Sequence, residues 1–168
     1  MKRFRVAIIG TGFGRLVQAV AFQRHEGFEL AAIAGTQEAK TREIAAQLGI
    51  AGAFDDWRRM LDEVRPDLVS IVTPPDLHHP MMLAALERGG HVLCEKPTAL
   101  HRFQAAEMRE AARRAGRVAA MNHEFRFFPA RAHALALVRR GDIGVPRRGE
   151  ILGRYPLWWR PQTRGWSW

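Results

Sequence analysis

Cysteine is nearly absent from this 168-residue sequence. The single Cys94 excludes an internal disulfide and any cysteine-based zinc site, and no other metal-ligating cluster stands out. Long apolar runs are missing as well: no stretch approaches the ~20 residues that a membrane span needs. Met1-Lys2-Arg3-Phe4-Arg5-Val6 runs straight into a strand-like segment, so no leader peptide is expected. Internal repeats and low-complexity tracts are not visible. Together these absences point to a soluble, cytoplasmic protein with no membrane partner.

What is present argues for a folded chain. Apolar residues make up 47% and charged residues 26%, enough apolar surface to offset the entropy of ordering. The length suits one domain, or one domain and the start of another. The net charge of +9 raises nucleic acid as a partner. Against it, the arginines are spread over many helices and the aromatic residues form no stacking platform on strands. The charge more simply suits anionic cofactors and phosphates. Four of the five tryptophans (Trp158, Trp159, Trp166, Trp168) fall in the last eleven residues. From Arg139 onward there are seven arginines against Asp142 and Glu150 alone. Such an ending calls for a partner surface to pack against, or for self-association.

Short apolar runs alternate with helical patterns over the first 120 or so residues. Strands are expected at Phe4–Ile9, Phe28–Ala34, Ala53–Phe54, Asp67–Val72, His91–Glu95 and Arg117–Met121. Helices are expected at about Gly14–His25, Gln37–Leu48 (stopped by Gly49), Trp57–Val64 (capped by Asp55 or Asp56), His79–Arg88 and Arg102–Ala115. In the first helix, Leu16, Val17, Val20, Ala21 and Phe22 form the expected inward face. Strands separated by helices of this length imply an α/β fold, a doubly wound parallel sheet over residues 1–122. Residues 123–168 read as the beginning of a second, α+β domain. Pro129–Arg140 is its helix, and Arg148–Tyr155 the first strand of its sheet.

The first strand runs into Gly10-Thr11-Gly12-Phe13-Gly14-Arg15 and then into a helix. Gly10 allows the tight turn, Gly12 lets backbone approach a pyrophosphate, and the helix amides supply donors to it. Strand–turn–helix is the context this dinucleotide fingerprint requires; a glycine turn without a ligand is the plainer alternative. The third glycine belongs at position 15, where this chain has Arg15, with Gly14 one place early. Arg15 would either crowd the helix–strand packing or swing out to a phosphate. A carboxylate that grips the ribose hydroxyls in NAD sites belongs at the end of strand two, roughly 20 residues beyond the glycines. Here that tip reads Ala34-Gly35-Thr36-Gln37. Thr36, with Lys40 or Arg42 a helical turn on, suits a 2′-phosphate, so the cofactor is NADP or NAD with NADP favoured. A solvated helix face accounts for Lys40 and Arg42 equally well.

Between Val72 and Pro97 the chain carries Thr73-Pro74-Pro75, then His78-His79, then Glu95-Lys96-Pro97, and Asn122-His123-Glu124-Phe125-Arg126-Phe127 follows. With the glycine turn, these segments resemble, in order and spacing, the Gfo/Idh/MocA (glucose–fructose oxidoreductase / inositol dehydrogenase) family of nicotinamide-dependent sugar oxidoreductases. The resemblance covers nearly the whole chain and implies a Rossmann, NAD(P)-binding fold. It puts Lys96 beside the nicotinamide and the substrate hydroxyl, as the catalytic residue that hydrogen-bonds the reacting oxygen and helps carry its proton. Glu95 would orient or balance that ammonium, and Pro97 would fix the turn. Thr73, Pro74 and Pro75 would form a loop beside the cofactor, with His78 a binding candidate and His79 solvated or capping. Asn122 and Arg126 would end strand six on the cofactor side, Arg126 meeting the ligand or pairing with Glu124.

The resemblance also implies a following β-sheet domain that carries oligomerisation, much of the substrate pocket and an Asp-x-x-x-His acid–base pair. No such motif is present, and no histidine follows His133. The implied protein is an NAD(P)-dependent oxidoreductase acting on a small sugar or polyol, represented by its cofactor domain and a truncated second domain. Homo-oligomers are implied for the family. Alone, this chain is expected to bind cofactor and to turn over poorly. A non-catalytic dinucleotide-binding or regulatory module is the alternative.

Overall fold

The computed structural model describes residues 3–153. They fall into two compact units that divide between Asn122 and His123. The first unit is built from β1 (Phe4–Ile9), α1 (Ala19–Arg24), β2 (Phe28–Ala34), α2 (Glu38–Leu48), β3 (Gly52–Phe54) and α3 (Trp57–Val64). It continues through β4 (Leu68–Ile71), α4 (His78–Glu87), β5 (His91–Cys94), α5 (Arg102–Ala115) and β6 (Ala119–Met121). All pairings are parallel and the strand order is β3-β2-β1-β4-β5-β6, the doubly wound arrangement.

Alternation along β1 shows why the sheet is covered on both faces. Val6 and Ile8 point into one apolar cluster with Ala19, Phe22, Ile33 and Ile44. Ala7 and Ile9 point into the other, with Met60, Leu61, Val69, Ile71 and Met81. A strand buried on both sides has no polar face, hence the unbroken run Val-Ala-Ile-Ile. Each fully buried Ile or Leu there contributes about 1.5–3 kcal/mol of transfer free energy. Local signals end the helices where residue chemistry requires. Asp56 caps α3, its Oδ1 accepting from Arg58 N at 2.7 Å. Gly49 closes α2 and Gly116 closes α5, both with a left-handed backbone.

The segment after β1 departs from the expected plain helix. Gly14–Gln18 forms a π-helical turn, and α1 begins only at Ala19. Its inward face is Gly14, Gln18, Ala19 and Phe22, whereas Leu16 and Val17 are 65% and 45% exposed and Ala21 faces out. Gly14 sets this register. A Cβ there would lie 2.9 Å from Ile8 Cγ2, so this residue packs on β1 and those four and eight further on follow it inward. The small residue that the helix–strand contact demands is thus Gly14, and Arg15 does not crowd it.

The second unit, described by itself, has a 3-10 turn at Glu124–Phe127 and α6 (Pro129–Arg140). Residues 148–153 form no strand, contrary to expectation. A strand needs a neighbour for its backbone groups, and the described residues of this unit offer none. Tyr155 and the tail tryptophans lie outside the described residues. No helix among the described residues is long and apolar enough to cross a membrane, and no group of three or more potential metal ligands occurs among them.

Candidate cofactor and active site

Parallel strands bring their carboxyl ends to one edge, and the ladder here runs one residue past each strand. Gly10 N donates to Ala34 O at 2.9 Å and Val72 N to Ile9 O at 2.8 Å. Glu95 N donates to Ile71 O at 2.9 Å and Asn122 N to Cys94 O at 2.8 Å. Gly10, Val72, Glu95 and Asn122 therefore stand in a row, and each leads into a loop singled out by the sequence. The order reverses between β1 and β4, which opens a crevice at that edge.

The glycine turn fits a dinucleotide pyrophosphate on three observations. Gly10 has φ +118° and lies so close to β4 that any Cβ would overlap the Val72 carbonyl. At Gly12 a Cβ would meet nothing within 4 Å, leaving backbone open to a ligand. The Nε of half-buried Arg15 is buried without a hydrogen-bond partner, a donor suited to an anion. Thr11 packs over Gly35, where a Cβ would meet its Cγ2 at 2.7 Å, so the turn leans on the tip of β2. Phe13 is exposed beside it.

At the β2 tip, Thr36 and Lys40 are exposed. Arg42 is engaged by Glu38 at 2.5 Å. Lys40 has no ion-pair partner among the described residues, which leaves it as the nearby cation for an added charge.

After β4, Thr73 is half-buried, Pro74 is exposed, and Pro75 starts a 3-10 turn at Pro75–Leu77 that leads into α4. His78 is fully buried (0% exposed). Its Nε2 lies 2.9 Å from Thr73 O and its Nδ1 2.9 Å from Pro97 O. Both partners are carbonyl oxygens, so a ring with one N–H donates to one and packs against the other; it sits between the loop after β4 and the turn after β5 and presents no open nitrogen to a ligand. His79 is held on the surface by Glu107 at 2.8 Å.

Lys96, half-buried, follows β5 and precedes a cis peptide bond to Pro97. Glu95 is 8% exposed. Its Oε1 accepts from Gln18 Nε2 and from Asn122 Nδ2, both at 2.7 Å, and its Oε2 accepts weakly from Lys96 N at 3.3 Å. Ser70 Oγ donates to Gln18 Oε1. Gln18 and Ser70 were not anticipated. The signal was a polar residue in an inward helical stripe and another inside the apolar strand Leu-Val-Ser-Ile, since buried polar groups need partners. Arg126 lies four residues past Asn122 in the chain. It lies in the second unit on the 3-10 turn, 5.7 Å from the Phe127 ring centroid, with no ion pair to Glu124.

A doubly wound sheet with a tight glycine turn at the reversal of strand order defines a dinucleotide-binding Rossmann domain. The chain belongs to the Gfo/Idh/MocA oxidoreductase family, whose NAD-binding Rossmann fold matches residues 4–123. It is 40% identical over 124 residues to D-glucoside 3-dehydrogenase of Escherichia coli, covering 73% of this chain and 35% of that protein. An NAD-binding oxidoreductase structure from Klebsiella pneumoniae superposes with TM-score 0.79 at 37% identity, over 84% of this chain and 40% of the other. Scyllo-inositol dehydrogenase from Lactobacillus casei, with NAD(H) and scyllo-inositol bound, gives 0.79 at 25% identity, over 85% and 43%. The chain thus spans well under half the length of the relatives it matches.

Proposed function

We propose that this chain supplies the cofactor-binding portion of an NAD(P)-dependent oxidoreductase acting on a sugar or polyol hydroxyl, with Lys96 at the reacting oxygen. The observation that carries this reading is the lysine at the tip of β5, one residue past a buried carboxylate, on the same sheet edge as the glycine turn. The sugar and polyol relatives supply its substrate class. Gly10, Thr11, Gly12, Phe13, Gly14 and Arg15 would hold the pyrophosphate, and Thr73, Pro74 and Pro75 the nicotinamide end. Bound there, the nicotinamide supplies hydride exchange with the substrate carbon. The chain's own part is to orient the hydroxyl through the Lys96 Nζ and to hold the proton at that oxygen. No Asp-x-x-x-His pair of the kind the resemblance implies occurs in these 168 residues. The loss of such a group lowers rates by ~10²–10⁴, and the chain alone should bind dinucleotide yet turn over slowly.

For the cofactor we favour NADP, because the β2 tip has no carboxylate and Lys40 is exposed without an ion-pair partner among the described residues. Fluorescence titration with NADPH and NADH tests both statements. NADPH should bind roughly tenfold more tightly, a difference of about 1.4 kcal/mol, and Thr36→Asp should reverse the preference. Failure to bind either dinucleotide would refute the functional reading, and stronger NADPH binding by Thr36→Asp would refute the preference.

A further inference from the structure

Lys96 is the residue on which the proposed chemistry turns, and a long flexible side chain needs its surroundings fixed. The charged group next to it in the chain is Glu95, whose carboxylate sits at 8% exposure. A carboxylate in that setting is stable only if its oxygens are hydrogen-bonded. Two side-chain amides meet that need at one oxygen, Oε1, and neither brings a counter-charge. The nearer in sequence, Asn122, comes from the end of β6. The farther, Gln18, comes from the π-helical turn that follows the glycine loop, and is itself only 4% exposed.

Gln18 cannot turn its amide over at will. The fully buried Ser70 hydroxyl donates to Gln18 Oε1, which directs Nε2 at the carboxylate. Ser70 lies on β4, so β4, the π-turn, the tip of β5 and the end of β6 converge on one carboxyl group. All four residues belong to the first unit. The packing of α1 did not require an amide at position 18, since its neighbours Gly14, Ala19 and Phe22 are apolar contacts with the sheet. A buried polar network that is fully satisfied fixes a single arrangement, and an apolar residue of similar volume would fill the space without doing so.

We infer that Gln18, oriented by Ser70 and joined by Asn122, is a positioning residue that holds the Glu95 carboxylate in one rotamer beside Lys96, before any ligand binds. The inference rests on the proposed role of Lys96 at the reacting edge, but its test does not depend on catalysis. Glu95 then gives Lys96 a fixed negative neighbour, and the glycine loop and the lysine share a rigid link through one side chain. Loss of Gln18 frees the carboxylate to rotate away, and the lysine amine becomes more reactive.

The chain contains only three lysines, Lys2, Lys40 and Lys96, so peptide mass spectrometry can follow acetylation of each by a water-soluble acetyl ester. Gln18→Met keeps volume and removes the donor. Lys96 acetylation should speed up about three- to tenfold across pH 7–10, as expected for loss of one hydrogen bond to a charged group, with Lys40 unchanged. In the Glu95→Gln background the same substitution should add nothing, because the effect passes through the carboxylate. Equal rates and an unchanged pH profile in a folded Gln18→Met protein would overturn the inference. So would an additive effect in the double variant, which marks a merely structural role. Should Gln18→Met fail to fold, Asn122→Leu removes the other amide and must give the same acceleration and the same cycle. Dinucleotide titration of the unaltered chain is run alongside. A chain that binds no dinucleotide refutes the proposed function while leaving the acetylation result to judge the clamp.

Discussion

Two glycines two positions apart, Gly10 and Gly12, should respond to the same substitution in opposite ways. Gly10 has φ +118°, and a Cβ there would stand 2.7 Å from the Val72 carbonyl carbon and nearer still to its oxygen. That carbonyl is main chain, and its residue is pinned by Val72 N donating to Ile9 O at 2.8 Å. No side-chain rotation relieves the overlap. Backbone strain of ~1–3 kcal/mol and a similar overpacking cost together give a loss of roughly 2–6 kcal/mol for Gly10→Ala. At ~2–4 °C per kcal/mol for a chain of this size, the melting temperature should fall by roughly 5–20 °C. At Gly12 an added Cβ meets nothing within 4 Å, so Gly12→Ala should leave stability within about 0.5 kcal/mol. Its methyl instead enters the space where backbone would approach a pyrophosphate. Loss of one or two charge-assisted amide contacts predicts about 10- to 100-fold weaker NADPH binding. Thermal unfolding and fluorescence titration of both variants measure the two effects separately. Unchanged affinity in a folded Gly12→Ala protein would refute the reading of this turn as a phosphate cradle.

His78→Phe keeps a ring in place but removes the imidazole N–H, which a ring with one such donor gives to either the Thr73 or the Pro97 carbonyl. At ~1–3 kcal/mol for one unsatisfied carbonyl, urea unfolding should show a loss of that size; a loss below about 0.5 kcal/mol would mean that His78 does not hold the two loops. Burial, with the Glu95 carboxylate adding to it, pushes the Cys94 thiol up to about 12. Ellman's reagent should therefore modify Cys94 only as fast as the protein unfolds, and rapid labelling of native protein would contradict this. The linkage sign follows from the same shift. In the unfolded chain the thiol ionises near its ordinary 9.0 while the buried thiol stays protonated, so its contribution is complete below pH 9 and declines as pH rises toward 12.

Much of the sheet was readable because its signals are local. Asp56 before Trp57, Gly49 after Leu48 and Gly116 after Ala115 each act within a few residues of the boundary they set. Runs such as Val-Ala-Ile-Ile report burial on two faces without any knowledge of the partners. The first helix misled for the opposite reason. Leu16 and Val17 look like an inward stripe, but the close contact of Gly14 with Ile8, a tertiary constraint, turned them outward. Residues 148–153, the described part of the expected strand, have the composition of one, yet a strand exists only with a neighbour to pair with. The site motifs were legible by type and spacing, while the links among them were not. Gln18 reaches Ser70 across 52 positions and Glu95 across 77. Those contacts follow from β1 lying beside β4 and β4 beside β5, which periodicity does not encode.

The arrangement around Lys96 addresses a specific cost. Ordering a lysine side chain takes up to ~2 kcal/mol, with a further ~1–2 kcal/mol for its backbone. The second of these is met before any ligand arrives, because both flanking residues are tied down. Glu95 is held by its main-chain bond to Ile71 and by the amides of Gln18 and Asn122. The Pro97 carbonyl is packed against buried His78, whose two ring nitrogens lie 2.9 Å from the Pro97 and Thr73 carbonyls. Every residue in this scaffold belongs to the first unit. Loss of either clamp should therefore alter the acetylation rate of Lys96.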